Sequence, residues 1–416
     1  MPAVSDFLRD LRLLAGAVAL SAAGDLIALV TLALHVHELT GSGLAVSALF
    51  ATTMVPVVAL APVAGLLVDR VESTRVLAGA SLLQAGVASA LILLSGELAA
   101  VLALSALLAA GATVSQPAEF ALVPVVAADG SDEALTRANG VMESARAAGF
   151  AVGPLIAALV AALGDTRAAL ALNAVSFLAI AAAAVLMRAR RPAPRARAGR
   201  ERAIEGAAFL WSDRGLRVVI TATTSALLFI SASMTVELFY VKDVLHAGDA
   251  GYALLWAVWM AGMAAGAGRL ASRVPPRAIA SGALVALAVQ GAGMALQTTW
   301  AILPVAAAGY LVGGVGHGVK NTLLRTLLQR RVPDRLHGRA FAAYNAVRNT
   351  AELGALGAGG LLVTALGPRE ALVLAGLGPV VAGLAGVLAL RRRAARGRAG
   401  SSTIRIPRGA PDPLID

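Results

Sequence analysis

Residues Gly65-Leu66-Leu67-Val68-Asp69-Arg70-Val71-Glu72-Ser73-Thr74-Arg75 form a charged break between two apolar runs, one over about 44–68 and the next over about 75–95. At about 1.5 Å per helical residue, each run is long enough to cross a hydrocarbon layer about 30 Å thick. Working outward from this break, the same alternation of greasy run and short polar connection continues along the chain. Apolar runs lie near 12–38, 44–68, 75–95, 98–127, 138–163 and 167–188, then near 215–240, 250–271, 276–297, 301–328, 338–366 and 369–390. The 416 residues are 58% hydrophobic and 14% charged, with 43 glycines. So much apolar surface exceeds what one globular core can bury, and lipid is the expected solvent. The expected fold is an all-α integral membrane protein with twelve transmembrane helices.

The arginines alternate by connection. Arg9 and Arg12, Arg70 and Arg75, the run from Arg188 to Arg217, Arg269 to Arg277, Arg325 to Arg339 and Arg391 to Arg408 occupy every second break, whereas the others hold little beyond Arg167, Lys242 and Arg369. The positive-inside rule then puts both termini in the cytoplasm and requires an even number of spans, and the expected location of this multi-pass protein is the plasma (inner) membrane. The net charge of +11 is explained by these loops, so no nucleic-acid partner is expected. The first apolar run is too long for a signal peptide and should be retained as a helix.

An expected N-terminal bundle of six helices covers 1–190, an Arg-rich cytoplasmic linker 191–214, a second six-helix bundle 215–392 and a disordered cytoplasmic tail 393–416. Within the linker, Ile204, Ala208 and Trp211 fall on one side of a short helix that either lies along the membrane surface or serves only as a positive topology determinant. The halves echo each other. Gly65-Leu-Leu-Val-Asp-Arg-Val71 is matched by Gly268-Arg-Leu-Ala-Ser-Arg-Val274, and Ala138-Asn139 with Gly153 is matched by Tyr344-Asn345 with Gly359. Two parallel six-helix repeats with a cavity near the bilayer midplane are a transporter architecture.

Enzyme chemistry finds no footing. There is no cysteine, no phosphate-binding glycine loop ending in Lys-Ser or Lys-Thr and no HExxH helix. The five histidines are scattered, so neither a metal site nor a cofactor is expected.

The break at 65–75 resembles the signature loop of the major facilitator superfamily, a glycine followed four residues later by Asp-Arg and then by further basic residues. Gly65, Asp69, Arg70 and Arg75 match it, while Glu72 stands where a glycine is usual. The resemblance implies that the aspartate joins a network of charges and helix ends that locks the outward-facing state. Gly149, Gly153 and Pro154 in the fifth span resemble the exporter motif of that superfamily, with alanines at two positions usually glycine. Physically, such glycines allow close helix contact and the proline bends the span. Gly24-Asp25, Gln116-Pro117-Ala118 with Val123-Pro124, Asn173 with Phe177, and Gln329 to Pro333 with Gly338-Arg339 together look like the drug and proton antiporter branch that includes macrolide-efflux and enterobactin-exporter proteins. The resemblance implies a secondary transporter that moves a small-molecule substrate against protons as a monomer. A nutrient-uptake symporter and a non-transporting receptor are the alternatives.

Charged residues within spans each cost about 2.5 kcal/mol or more unless paired or hydrated. Asp25, halfway through the first span, is the leading proton-site candidate or else an acid paired to a nearby arginine. Glu143 and Arg146 share one helix face in the fifth span, as Arg348 and Glu352 do in the eleventh. Both pairs read as internal ion pairs, partners exchanged between halves, or substrate contacts, and Glu143 and Glu352 join the proton-coupling candidates. Glu119 and Lys320 occupy similar parts of the fourth and tenth spans as gating or loop-end charges. Glu237 sits near the outer end of the seventh, where hydration weakens the case for a role.

Overall fold

The computed structural model describes residues 4–40, 43–127, 130–162, 166–191 and 204–401. Among these the long elements are all helices: α1 (Val4–Thr40), α2 (Gly43–Arg70), α3 (Ser73–Leu94), α4 (Leu98–Val126), α5 (Asp132–Ala162), α6 (Thr166–Leu186), the short α7 (Glu205–Ser212), α8 (Arg214–Phe239), α9 (Gly248–Ala265), α10 (Ile279–Leu296), α11 (Leu303–Arg331), α12 (His337–Leu366) and α13 (Pro368–Ser401). Local chemistry sets several of the starts. Ser131 Oγ accepts from Ala134 N at 3.1 Å at the head of α5, and Asp213 Oδ1 accepts from Gly215 N and Leu216 N at 2.8 and 2.9 Å at the head of α8. Each satisfies backbone donors that a first helical turn leaves free.

In the first bundle α1 packs on α5 and α6, α3 on α4 and α6, and α2 on α4. The second bundle repeats this pattern: α8 packs on α12 and α13, α10 on α11 and α13, and α9 on α11. The repeat seen in the sequence is therefore a repeat of packing. Close backbone approach makes it possible, as where a Cβ on Gly293 of α10 would lie 2.6 Å from Gly313 Cα of α11. Small residues do this where water supplies no force to press helices together. Outward-facing Leu93, Leu155, Val175 and Val381 are exposed, as a lipid-facing surface requires. Nine segments among the described residues are long and apolar enough to cross a membrane.

Two ends depart from expectation. α1 starts at Val4 rather than near 12, because Asp10 is buried and its Oδ2 accepts from Arg188 N and Ala189 N at 2.8 and 2.7 Å, tying this turn to the end of α6. α13 runs on to Ser401, so 393–401 of the expected tail are helical, and 402–416 lie outside the described residues. The prolines of the linker also lie outside them. α7 buries Gly206 and Leu210 and leaves Ile204, Ala208 and Trp211 exposed on the other side.

Candidate functional site at the seam between the bundles

The two bundles meet along α2 with α12 and along α5 with α9 and α11. At the Arg-rich end of the first seam, Asp69 Oδ1 accepts from Gly338 N at 2.8 Å, and Oδ2 accepts from Arg339 N at 3.1 Å and Arg339 Nε at 2.9 Å. The carboxylate thus binds the positive end of α12 as well as a guanidinium. A Cβ on Gly65 would fall 2.6 Å from Arg339 Cα, so only glycine lets α2 come this close. Arg339 Nη1 reaches Glu205 Oε2 of α7 at 3.0 Å, which ties the linker helix to the same contact. Arg191 bonds Ser73 Oγ at 3.1 Å, lies 3.9 Å from Asp69 and donates to the Asp334 carbonyl. Burial pulls its guanidinium down from the usual arginine range against the pull of Asp69 and Asp334, yet it stays a cation. Arg70 is exposed, and Arg75 pairs with Glu72 at 3.0 Å on the surface.

Along the second seam, Asn139 Nδ2 donates to Gln329 Oε1 at 2.5 Å and to Thr326 Oγ1 at 3.2 Å. Ser144 Oγ donates to the Ala264 carbonyl at 3.0 Å, and Gly140 is pressed against the Ala267 carbonyl. Arg330 meets Asp132 at 2.5 Å, Gln329 Nε2 donates to the Phe120 carbonyl at 2.9 Å, and Phe120 stacks on Phe341 with centroids 4.1 Å apart. Gly65 and its echo Gly268 both lie on a seam, the latter with a Cβ position 3.0 Å from Ser144 Oγ. Asn139 and its echo Asn345 both reach across, Asn345 to Gln116 Oε1 at 3.5 Å. The Arg-rich end is closed by contacts that obey the repeat.

Beneath this seal lies a layer of charge. Glu119 of α4 is bound by Arg146 of α5 at 2.6 Å. Glu143 accepts from Asn321 Nδ2 at 2.8 Å and lies 3.6 Å from Arg325 of α11. Of the alternatives open for Glu143 and Arg146, the structure has no ion pair between these two and places Glu143 on the other half. Glu143 turns toward α11, where two donors satisfy it, and leaves Arg146 to α4. Arg348 does pair within its own helix, with Glu352 at 3.6 Å. Glu119 and Lys320 are each 7% exposed, hence buried rather than loop-end charges, and Lys320 Nζ donates to Gln290 Oε1 at 3.1 Å. The offset of 206 residues relating Asn139 to Asn345 also relates Glu119 to Arg325 and Arg146 to Glu352, so the equivalent positions of the second bundle carry charges of opposite sign, although Arg325 and Glu352 meet other partners, Glu143 and Arg348.

Asp25 is exposed although it lies within apolar α1, and Arg146 is the charge acting on it, with no ion pair closed among the described residues. Neighbouring Gly24 is fixed against α6, where a Cβ would meet Ser176 Oγ at 2.5 Å and Asn173 Oδ1 at 2.8 Å. On α5, a Cβ at Gly149 would strike the Ala19 carbonyl and one at Gly153 would lie 3.0 Å from the Ala23 carbonyl, so α1 and α5 touch backbone to backbone around Asp25. Pro154 lies in the same helix.

Several residues of the site escaped the sequence reading. Arg191, Asn321 and Arg325 carry no motif, and only the fold brings them to Asp69 and Glu143. Glu237 was expected to be hydrated, yet it is 7% exposed because α9 and α11 cover it.

The fold matches solved transporter structures. The human organic anion transporter MFSD10 (TETRAN) superposes with a TM-score of 0.73 at 17% identity, covering 90% of this chain and 99% of that one. A bacterial homologue of the iron transporter ferroportin in an outward-facing state gives 0.74 at 16% identity, covering 91% and 98%. The same type of homologue with soaked iron gives 0.70 at 17% identity, covering 91% and 97%. Among curated proteins none matches the chain in sequence. The family model described as Major Facilitator Superfamily matches residues 14–355. With that match over most of its length and a helix-packing repeat to go with it, the chain belongs to the major facilitator superfamily and is a multi-pass membrane transporter, not an enzyme.

Proposed function

We propose that the chain crosses the plasma (inner) membrane twelve times with both termini in the cytoplasm, and that it exports small, partly hydrophobic molecules in exchange for protons by alternating access. The observation that carries this reading is an exposed acid, Asp25, in an apolar helix beside a seam whose Arg-rich end is sealed. A carboxylate at mid-span costs about 2.5 kcal/mol or more unless water reaches it, which supports a hydrated path leading to Asp25 from the opposite side. The arginine pattern supports taking the sealed end as cytoplasmic. In this reading protonation of Asp25 and binding of substrate favour different access states, which is what coupling requires. The Asp69–Arg339 contact holds one state, and Gly149, Gly153 and Pro154 form the α1–α5 pivot. Protons and one small-molecule substrate are the partners, and a monomer suffices.

Everted vesicles energised by a pH gradient test this. The wild type accumulates a fluorescent lipophilic dye, and Asp25→Asn at equal abundance loses the pH-driven component. Unchanged pH-driven accumulation in that variant refutes the role of Asp25, and accumulation by intact cells instead of everted vesicles refutes export.

A further inference from the structure

Trp211 and Ile204 are 51% and 68% exposed on the outer side of α7. The opposite side of the same helix is occupied. Leu210 is 3% exposed, and a Cβ on Gly206 would strike the backbone of Arg339 and Ala340, so α7 is wedged against the start of α12 and its outer side stays outward. Its depth follows from its neighbours. The membrane-spanning segment Arg214–Ser231 opens just after it, and the segment Pro368–Arg392 closes beside that opening. α8 and α13 pack on each other, and Leu390 near the end of that segment rests on the same core cluster as Leu210 and Leu216. Two adjacent spans therefore reach the membrane edge at the foot of α7. Tryptophan favours that depth.

Four arginines stand at this edge: Arg214 and Arg217 in the first turn of α8, and Arg391 and Arg392, both exposed, where α13 leaves the span. Arg217 Nη1 donates to the Trp211 carbonyl at 3.3 Å, which ties that cation to the end of α7. Asp213, the acid between α7 and α8, is engaged: its Oδ1 caps α8 and its Oδ2 is held by Arg331 at 3.3 Å. Charge alone is enough to orient spans, but a topology signal has no use for a tryptophan and an isoleucine turned outward at the same edge. Large apolar side chains beside a belt of cations are the pattern of a helix seated in the headgroup layer of an anionic bilayer.

We propose that the outer side of α7, with Arg214, Arg217, Arg391 and Arg392, is a binding site for anionic phospholipid, with Ile204 and Trp211 entering the boundary between headgroups and acyl chains. Arg339 bonds Glu205 of α7 through Nη1 at 3.0 Å and Asp69 through Nε at 2.9 Å, so lipid seated here braces the sealed Arg-rich end. The site needs the membrane spans and no particular direction of transport.

Ala208→Cys, exposed on α7 in a chain without cysteine, carries a single bimane probe on the full-length protein in nanodiscs. Brominated phosphatidylcholine should quench it, and the quenching should rise saturably as phosphatidylglycerol is added. Arg391→Gln with Arg392→Gln should move the midpoint of that rise about fivefold or more, the scale of one or two arginines at an anionic surface. High salt, which needs no mutation, should flatten the wild-type response. In the same lipids, maleimide labelling of Ala342→Cys should slow as phosphatidylglycerol is added. Absence of quenching, quenching indifferent to phosphatidylglycerol, an unmoved midpoint in the double variant, or a response that survives high salt overturns the site. Labelling at position 342 that ignores phosphatidylglycerol while the quenching rises overturns the brace on the seal.

Discussion

Asp69 and Arg339, 270 positions apart in the chain, are joined by two hydrogen bonds of 3.1 and 2.9 Å across the seam between the bundles. Both groups are almost fully buried. Hydrogen bonds to charged groups contribute about 1.5–3 kcal/mol each, and any motion that opens the Arg-rich end must break this set.

Asp69→Asn should therefore shift the population toward an open Arg-rich end by about 10- to 100-fold, the range that one such bond supplies. The chain has no cysteine, so Ala342→Cys, buried at this seam, gives a single reporter. A membrane-impermeant maleimide applied from the Arg-rich side should label it faster in the Asp69→Asn background. Unchanged labelling would mean that the contact does not hold the gate.

Gly65→Ala should act in the same direction by steric means. Its new Cβ meets the backbone of Arg339, not the flexible end of a side chain, so the bundles must separate rather than repack locally. Labelling at position 342 should rise while the thermal midpoint falls only slightly. A large fall in midpoint without extra labelling would instead make Gly65 a residue of bundle stability alone.

Glu119→Gln should destabilise by about 1.5–3 kcal/mol, because it removes the charged hydrogen-bond partner of the half-buried Arg146. Glu119→Gln with Arg146→Gln should recover much of that loss. Thermal unfolding in one detergent compares the three proteins, and strict additivity of the single variants would contradict a direct coupling of this pair.

Asn139→Ala should loosen the seal more than Asn345→Ala. The former residue donates across the seam at 2.5 and 3.2 Å, the latter once at 3.5 Å. Reporter labelling at position 342 ranks the two, and the reverse order would contradict the asymmetry seen here.

Helices and repeat were legible because the information is local. A run of about 20 apolar residues bounded by arginines reads the same wherever its partners lie, and Gly65 with Gly268, or Asn139 with Asn345, can be matched letter by letter. Partners across the seam were not legible. Glu143 and Arg146 share a helix face by spacing, but the choice of Asn321 and Arg325 for one and Glu119 for the other depends on which helices the bundle brings alongside. Glu237 shows the same limit: position near a helix end says nothing of the aromatic cover supplied by α9 and α11. Asp25 reads from the sequence only as a charge in an apolar run, and the close packing of Gly149 and Gly153 on Ala19, Ala22, Ala23 and Leu26 of α1 is visible only in the fold.

The most direct test places spin labels at positions 75 and 335, exposed sites flanking the Asp69–Arg339 contact, and measures their separation by pulsed electron resonance in lipid. Two interconverting populations are predicted, the shorter one dominant in the wild type and the longer one enriched by Asp69→Asn or by transported substrate. A single unshifted distance in every condition, in protein that still transports, would contradict alternating access at this seam.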